Sequence, residues 1–162
     1  MKKIISVFGI IIALFFTSMV NAEVKIAAVD VMSVFQRMPQ REIVGKALEK
    51  EFSAQIKSLQ AEEKQASEAN ARLKKDGLTL SSSEKAKLDK IITDFEDNLN
   101  DYRIKFEKRE SEEKGKLLTK IQGAVKDIVA SEKYDIVLKA EALLFASDAV
   151  DITDKVLEKV KE

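Results

Sequence analysis

Two long stretches without proline, joined by a short serine-rich turn, constrain the fold of this chain most strongly. Residues 40–75 and 84–131 are dense in Glu, Lys, Gln, Ala and Leu, and the one proline of the sequence, Pro39, precedes both. At 1.5 Å per residue, unbroken helices over these stretches would be roughly 54 and 72 Å long. Globular helices usually run about 8–20 residues, so these lengths predict a coiled-coil-like hairpin. Its turn is expected at residues 76–83, with Ser83 as the N-cap of the second helix.

Apolar residues in both stretches follow the 3.5-residue period of a coiled-coil seam. The second stretch keeps apolar or aromatic side chains at the spacing 4, 3, 4, 3, 4 and then reaches two charged positions: Leu88, Ile92, Phe95, Leu99, Tyr102 and Phe106, then Arg109 and Glu113. The first stretch gives the series Phe52, Ile56, Leu59, Glu63, Ala66, Asn70 and Leu73. Because Glu63 and Asn70 interrupt it, we expect a flexible, locally splayed hairpin.

The segments that flank the hairpin predict a small body. Residues 24–31, 134–138 and 142–146 are short apolar runs typical of strands, and Ser33 is placed to cap a short helical turn. A final helix is expected from residues 151–154 to Val160, with one apolar face. For the first strand to meet the others, the two ends of the chain must come together. The expected fold class is therefore α+β, mainly α, with a β-rich body at 23–39 and 132–162 and a long antiparallel helical hairpin at 40–131.

Residues 1–22 predict a cleaved secretory signal. Lys2 and Lys3 precede an apolar run of about 17 residues, and small residues before Glu23 suit cleavage after Ala22. The alternative is an N-terminal membrane anchor, although the run lies at the short end of the spanning range. The expected location of the mature chain is the periplasm.

Association is the expected source of stability for the small body. A body of this size is marginally stable alone. The sequence contains no Cys, so disulfides cannot stabilise it in an oxidising compartment. We therefore expect homo-oligomerisation through the body.

Composition excludes several functions. The 162 residues contain no His and no Cys, so imidazole and thiolate chemistry, including the metal sites built from them, is excluded. Residues 23–162 carry 26 basic and 28 acidic side chains, which argues against nucleic-acid binding. No glycine-rich phosphate loop occurs. We expect neither an enzyme nor a cofactor.

Three segments, in the same order, resemble the Skp/OmpH family of periplasmic chaperones: residues 25–36, residues 112–118 (Glu-Glu-Lys-Gly-Lys-Leu-Leu), and residues 134–138 with 148–153 and 156–157. The resemblance covers nearly all of residues 23–162, although the hairpin matches in composition only. It implies a homotrimer whose three hairpins hang like tentacles from the body around a cavity. It also implies ATP-independent holding of unfolded outer-membrane proteins, the clients, on their way to insertion.

Two sets of hairpin residues are candidates for this work. A holdase needs dispersed apolar groups, and the candidates for client binding are Phe95, Leu99, Tyr102 and Phe106. At heptad spacing the same side chains can instead form the seam of the hairpin itself. Residues 64–90 have seven bases and four acids, which makes the tip basic. Contact with anionic lipid or lipopolysaccharide there would use Lys74, Lys75, Lys85 and Lys87, unless these lysines only solubilise the helix ends.

Two further interpretations stay open. Asp148, Asp151 and Asp154 recur at spacing 3, which suits a helix cap better than a calcium site because the EF-hand pattern is absent. The alternative to a chaperone is a structural adaptor or spacer of the cell envelope, whose hairpin docks on a fixed partner helix. A spacer should have a clean seam, and Glu63 and Asn70 argue against one.

Overall fold

The computed structural model describes residues 23–162, and the signal predicted at residues 1–22 lies outside them. Strand β1 (Ile26–Val29) leads into helix α1 (Val31–Arg37), and the hairpin follows as α2 (Gln40–Asp76) and α3 (Ser82–Glu132). The chain returns through strand β2 (Ile136–Lys139) and a 3₁₀ turn (Ala140–Ala142) to helix α4 (Thr153–Lys161). The predicted fold class, a mainly helical α+β chain with a long antiparallel hairpin, is confirmed.

The two long helices begin and end at residues whose local chemistry explains the boundaries. Ser81, not Ser83, is the N-cap of α3: its hydroxyl accepts from the backbone N–H of Glu84, whose carboxylate accepts in return from the N–H of Ser81. This reciprocal capping box satisfies two otherwise unpaired groups, which explains why the helix starts two residues early. At the other end, Lys133 adopts a left-handed conformation with φ 56° and stops α3.

Helix α1 is capped by Asp30 and not by the predicted Ser33. The Asp30 carboxylate accepts from the backbone N–H of Ser33 at 2.7 Å, so Ser33 already lies inside the helix. Asp30 is the better cap here because its backbone is still extended at the end of β1, as a cap residue requires.

The sheet joins the two ends of the chain. Strands β1 and β2 are parallel, with Ile26 opposite Ile136 and Val29 opposite Lys139. The other edge of β1 is occupied near its middle, since the Ala28 N–H donates to the Val150 carbonyl at 2.8 Å and the Ile152 N–H donates to the Ala28 carbonyl at 2.9 Å. Both edges of β1 are therefore in use.

The strand predicted at residues 142–146 is wrong. In the described part of the chain the sheet has two strands, and the segment after the 3₁₀ turn is irregular, with Leu144 and Phe145 almost fully exposed. Because residues 150–152 already bond to β1, the apolar run has only the outer edge of β2 available, and it does not reach that edge.

One apolar core lies between the sheet, helices α1 and α4, and the base of α3. Ile121 on α3 and Val34 on α1 are fully buried in it. Helix α4 adds the apolar face predicted for it, since Ile152, Val156 and Val160 are all buried. This core fixes the base of α3, and the rest of the hairpin extends beyond it.

Candidate functional site

The hairpin seam is centred on an aromatic cluster. Phe52 of α2 is buried and meets the rings of Tyr102 and Phe106 of α3 at centroid distances of 5.7 and 5.3 Å, both near edge-to-face. Tyr102 and Phe106 lie 5.8 Å apart in a tilted arrangement. Aromatic pairs in this geometry stabilise more than their buried area alone. The cluster therefore holds the two helices together at this level.

All four predicted client-binding side chains face α2. Phe95, Leu99, Tyr102 and Phe106 are half-buried in one line along α3, as their heptad spacing predicts. Phe95 borders a shallow groove shared with Glu62 of α2. The structure thus brings the four together as seam residues that keep part of their surface accessible.

The polar positions of the α2 seam differ from those predicted. Glu63 and Asn70 are exposed, whereas Ala69 is buried and Glu62 is half-buried. A 3.5-residue period allows steps of 4 then 3 or of 3 then 4, and the observed phase places alanine inside where asparagine would lose its hydrogen bonds with water. The expected interruption by Glu63 and Asn70 is therefore wrong.

Glu62 is accommodated by hydrogen bonds at the seam. Its carboxylate accepts from the Ser58 hydroxyl at 2.7 Å and from the Asn98 side-chain amide of α3 at 2.9 Å. These bonds, first from Ser58 and then from Asn98, lower the pKa of the Glu62 carboxyl. The charged form therefore suits this position.

An ion cluster around Arg109 forms a second polar link across the hairpin, and near the tip a third link pairs Arg72 of α2 with Glu84 of α3 at 3.6 Å. The guanidinium donates to both carboxylate oxygens of Glu51 on α2, at 3.0 and 3.2 Å, and also to Glu112 and Glu113 of its own helix, at 2.8 and 3.0 Å. Bonds from Lys116 and then Arg109 lower the pKa of the Glu113 carboxyl. Arg109, which the heptad series places in the seam, is thus half-buried and hydrogen-bonded to three carboxylates.

The links at Glu62 and at Arg109 show a constant register. Glu51 faces Arg109 and Glu62 faces Asn98, so the step from Glu51 to Glu62 along α2 is matched by an equal step from Arg109 back to Asn98 along α3. The helices are therefore not splayed between these levels.

The tip carries the predicted basic residues around a tight turn. Lys74, Lys75 and Lys87 are exposed and Lys85 is half-buried; within residues 23–162 none of the four makes an ion pair. Gly77 ends α2, and a side chain there would clash with the Leu73 carbonyl. The next residue, Leu78, is fully exposed.

The body exposes large apolar side chains around its sheet: Val24, Ile26, Ile136, Leu138, Leu144 and Phe145. The outer edge of β2 is unpaired within the described chain. An open strand edge beside exposed apolar side chains is a surface that another chain can cover.

Two of the three aspartates at spacing 3, Asp151 and Asp154, make contacts within the body. Asp151 accepts from the backbone N–H of Thr153 at 2.8 Å, and Asp154 pairs with Arg37 at 2.9 Å. Among residues 23–162 no group of three acidic side chains is placed to hold a metal ion. Nor does any helix in this part of the chain have the length and apolar character needed to cross a membrane.

Sequence reasoning passed over four exposed large apolar side chains of the hairpin: Ile43, Leu78, Ile91 and Ile104. Leu78 lies in the turn and outside any periodic pattern. Ile104 lies between the seam residues Tyr102 and Phe106, and the signal that could have found it is the distribution of charge along α3.

Comparisons with known proteins cover almost the whole chain. A profile of the family described as outer membrane protein (OmpH-like) matches residues 25–160. The chaperone protein Skp of Pectobacterium atrosepticum is 38% identical over 99% of this chain and 100% of its own length. That of Vibrio cholerae is 33% identical over 87% of this chain and 86% of its own.

A solved structure shows the same fold. An OmpH-like protein of Caulobacter crescentus CB15 superposes with a TM-score of 0.54 at 17% identity, covering 86% of this chain and 85% of that one. The profile match and the full-length relatives agree on one assignment. The chain belongs to the OmpH-like family.

Proposed function

We propose that this chain is an ATP-independent periplasmic holdase, which binds unfolded outer-membrane proteins and keeps them soluble on the way to the outer membrane. The observation that carries the proposal is the architecture: a hairpin with helices of 37 and 51 residues extends from a small body and offers a long surface for weak contacts. Support also comes from relatives that are named chaperones and match over 86% and 100% of their own length.

Light scattering tests the holdase function. A urea-unfolded outer-membrane β-barrel protein is diluted into buffer with and without residues 23–162. We expect the chain to suppress aggregation at near-stoichiometric ratios in the absence of nucleotide. Equal scattering with and without the chain would contradict the proposal.

A structural adaptor is the second candidate, because the seam is more regular than the sequence indicated. Ala66 and Ala69 are buried in it while Glu63 and Asn70 lie outside. An adaptor would bind one fixed partner and leave the scattering of unfolded proteins unchanged, so the same assay separates the two functions.

The proposed assembly is a homotrimer through the body. Seven large apolar side chains of the body are exposed, six of them around the sheet and the seventh being Met32 of α1, and the outer edge of β2 has room for a further backbone partner. Covering both with other copies of the chain would remove this surface from water. Sedimentation equilibrium should give three chains per particle, and a monomer at micromolar concentration would rule the assembly out.

For the four seam side chains of α3 that are predicted to bind clients, we propose that the surface they leave accessible contributes to client binding. Phe95, Leu99 and Phe106 are half-buried, so one edge of each side chain remains in reach of solvent. Replacing all three with polar residues should weaken holding. Circular dichroism must accompany the assay because the same change loosens the hairpin.

At the tip we propose contact with phosphate-bearing anionic headgroups of the envelope. Lys74, Lys75, Lys85 and Lys87 surround the turn, and each base near an anionic surface contributes about 1 kcal/mol. Vesicles of zwitterionic lipid, of anionic phospholipid and of lipopolysaccharide separate the possible sources. Lysine-to-glutamine changes at all four positions should abolish binding to the anionic vesicles at low salt; unchanged binding would refute the contact.

A further inference from the structure

The charges on α3 avoid one face of the helix. Between positions 100 and 122, twelve of the side chains are charged. The seam series, which faces α2 or the core, takes six of these positions: 102, 106, 109, 113, 117 and 121. Two of the six, 109 and 113, are charged. Seven positions are both uncharged and outside the seam. At about 100° per residue, six of these seven fall on one stripe of the helix: Asn100, Ile104, Ser111, Gly115, Leu118 and Gln122.

This uncharged stripe points away from α2. Ile104 lies two positions from both Tyr102 and Phe106, hence roughly 160° around the helix from each of these seam side chains. Its side chain is 59% exposed, and a Cβ added to Gly115 would meet nothing within 4 Å. Five of the six stripe residues are exposed, and Leu118 is half-buried because it packs against the core at the base of α3. The stripe runs for about 33 Å along the helix.

Solvation alone does not explain such a face. Exposed faces of a charged helix normally carry its charges, as the flanks of this stripe do. A face without charges, placed opposite the seam, suits contact with another molecule, because charged side chains on that face would lose their hydration when the contact forms.

The composition of the stripe identifies the kind of partner. A second copy packed as a coiled coil would need an apolar residue about every 3.5 positions, whereas the stripe offers only Ile104, since Leu118 already packs against the core. The other members are amide, hydroxyl and glycine positions, which can hydrogen-bond to exposed backbone without fixing one geometry. Weak apolar contacts mixed with neutral hydrogen-bonding groups suit an unfolded chain.

We infer that the uncharged stripe on α3 is the main surface on which an unfolded client chain lies. This inference rests on the proposed holdase function and assigns it to the face opposite the seam. It places Ile104 at the centre of the contact with the client. The four seam side chains predicted to bind clients then make a smaller contribution to that binding.

Charge insertion tests the inference. The double variant Asn100→Glu with Ser111→Glu adds two charges to the stripe, and the matched control Ser53→Glu with Gln60→Glu adds two charges to the exposed, charged surface of α2. Gln60 is level with Asn100 in the hairpin register. The readout is the Kd for a fluorescently labelled, urea-unfolded outer-membrane barrel diluted into the chaperone, with circular dichroism and sedimentation run alongside.

We expect the stripe variant to raise Kd at least fivefold, Ile104→Ser to raise it about threefold, and the control to stay within twofold of the wild type, all with unchanged helicity. Equal Kd values for the stripe and control variants, while the wild type binds, would overturn the inference alone. Altered sedimentation of the stripe variant with unchanged Kd would also overturn it, because the stripe would then contact another copy. A wild type that does not bind the unfolded barrel would remove the proposed function itself.

Discussion

Replacing Phe52 with Ala should destabilise the hairpin strongly. Phe52 is 6% exposed and contacts two aromatic rings of α3, so its removal takes buried apolar surface and two edge-to-face pairs from the seam. Phe→Ala changes in closed cores cost about 3–5 kcal/mol. A two-helix arm is thin, and water can enter the cavity that the change leaves. We therefore expect a loss near the lower bound, about 3 kcal/mol.

Two further variants separate the contributions. Phe52→Leu keeps most of the apolar volume and loses the ring edges, so it should cost about 1–2 kcal/mol. Ile104→Ala is the surface control, and its cost should stay within about 0.5 kcal/mol because Ile104 is exposed and points away from α2.

Urea unfolding followed by far-ultraviolet circular dichroism measures these differences. Amide hydrogen exchange on α2 and α3 shows whether the loss is confined to the hairpin, in which case Phe52→Ala should leave the protection of β1 unchanged. A Phe52→Ala cost no larger than that of Ile104→Ala would refute the argument that the aromatic cluster holds the helices together.

Three other changes have defined expectations. Gly45→Ala should stabilise by about 0.5–1 kcal/mol, because Gly45 is helical and has open space around it, and a urea midpoint below that of the wild type would contradict this. Lys133→Gly should stabilise by up to about 1 kcal/mol by relieving the left-handed backbone, and the same measurement checks it. Glu113 and Glu132 have pKa values below the ordinary 4.5, so the stability that they contribute is present above that pH and lost as pH falls through the folded pKa. The variant Glu113→Gln with Glu132→Gln should therefore lose less stability between about pH 6 and pH 3 than the wild type; an equal loss would show that other carboxyls dominate.

The α3 seam could be predicted from the sequence because its members are large and apolar or aromatic, whereas most of their neighbours are polar or charged. Large apolar or aromatic side chains keep the spacing of 4 and 3 from Leu88 to Phe106, and Ile91 and Ile104 are the large apolar residues of this range that fall outside the series. The α2 seam could not be fixed in the same way. Its inner residues Ala66 and Ala69 are small and mark the phase less clearly than large apolar side chains do, so steps of 4 then 3 and of 3 then 4 both fit the sequence.

The body shows a second limit of sequence reasoning. Apolar runs at 134–138 and 142–146 look alike as strands, yet only the first is paired in the sheet. Strand formation depends on a free partner edge, and the edge of β1 near Ala28 is occupied by residues 150–152, which are less apolar. Which of two segments pairs with one strand edge depends on both of them, so the sequence of either segment alone does not predict the pairing.

The parallel pairing of β1 with β2 has a consequence for the order of folding during synthesis. Ile26 and Ile136 are separated in sequence by the whole hairpin, so a chain that emerges amino end first must present most of its length before the sheet can form. The hairpin between them can start to form at its tip, where the contacts join residues that are close in sequence. Each further helical turn of α2 that pairs with α3 brings β1 and β2 closer together. Loop closure that would be slow for a disordered span of this length becomes a short local step. Until then β1 has an unpaired edge and exposed apolar neighbours, so the emerging chain passes through a stage in which it is itself prone to aggregate.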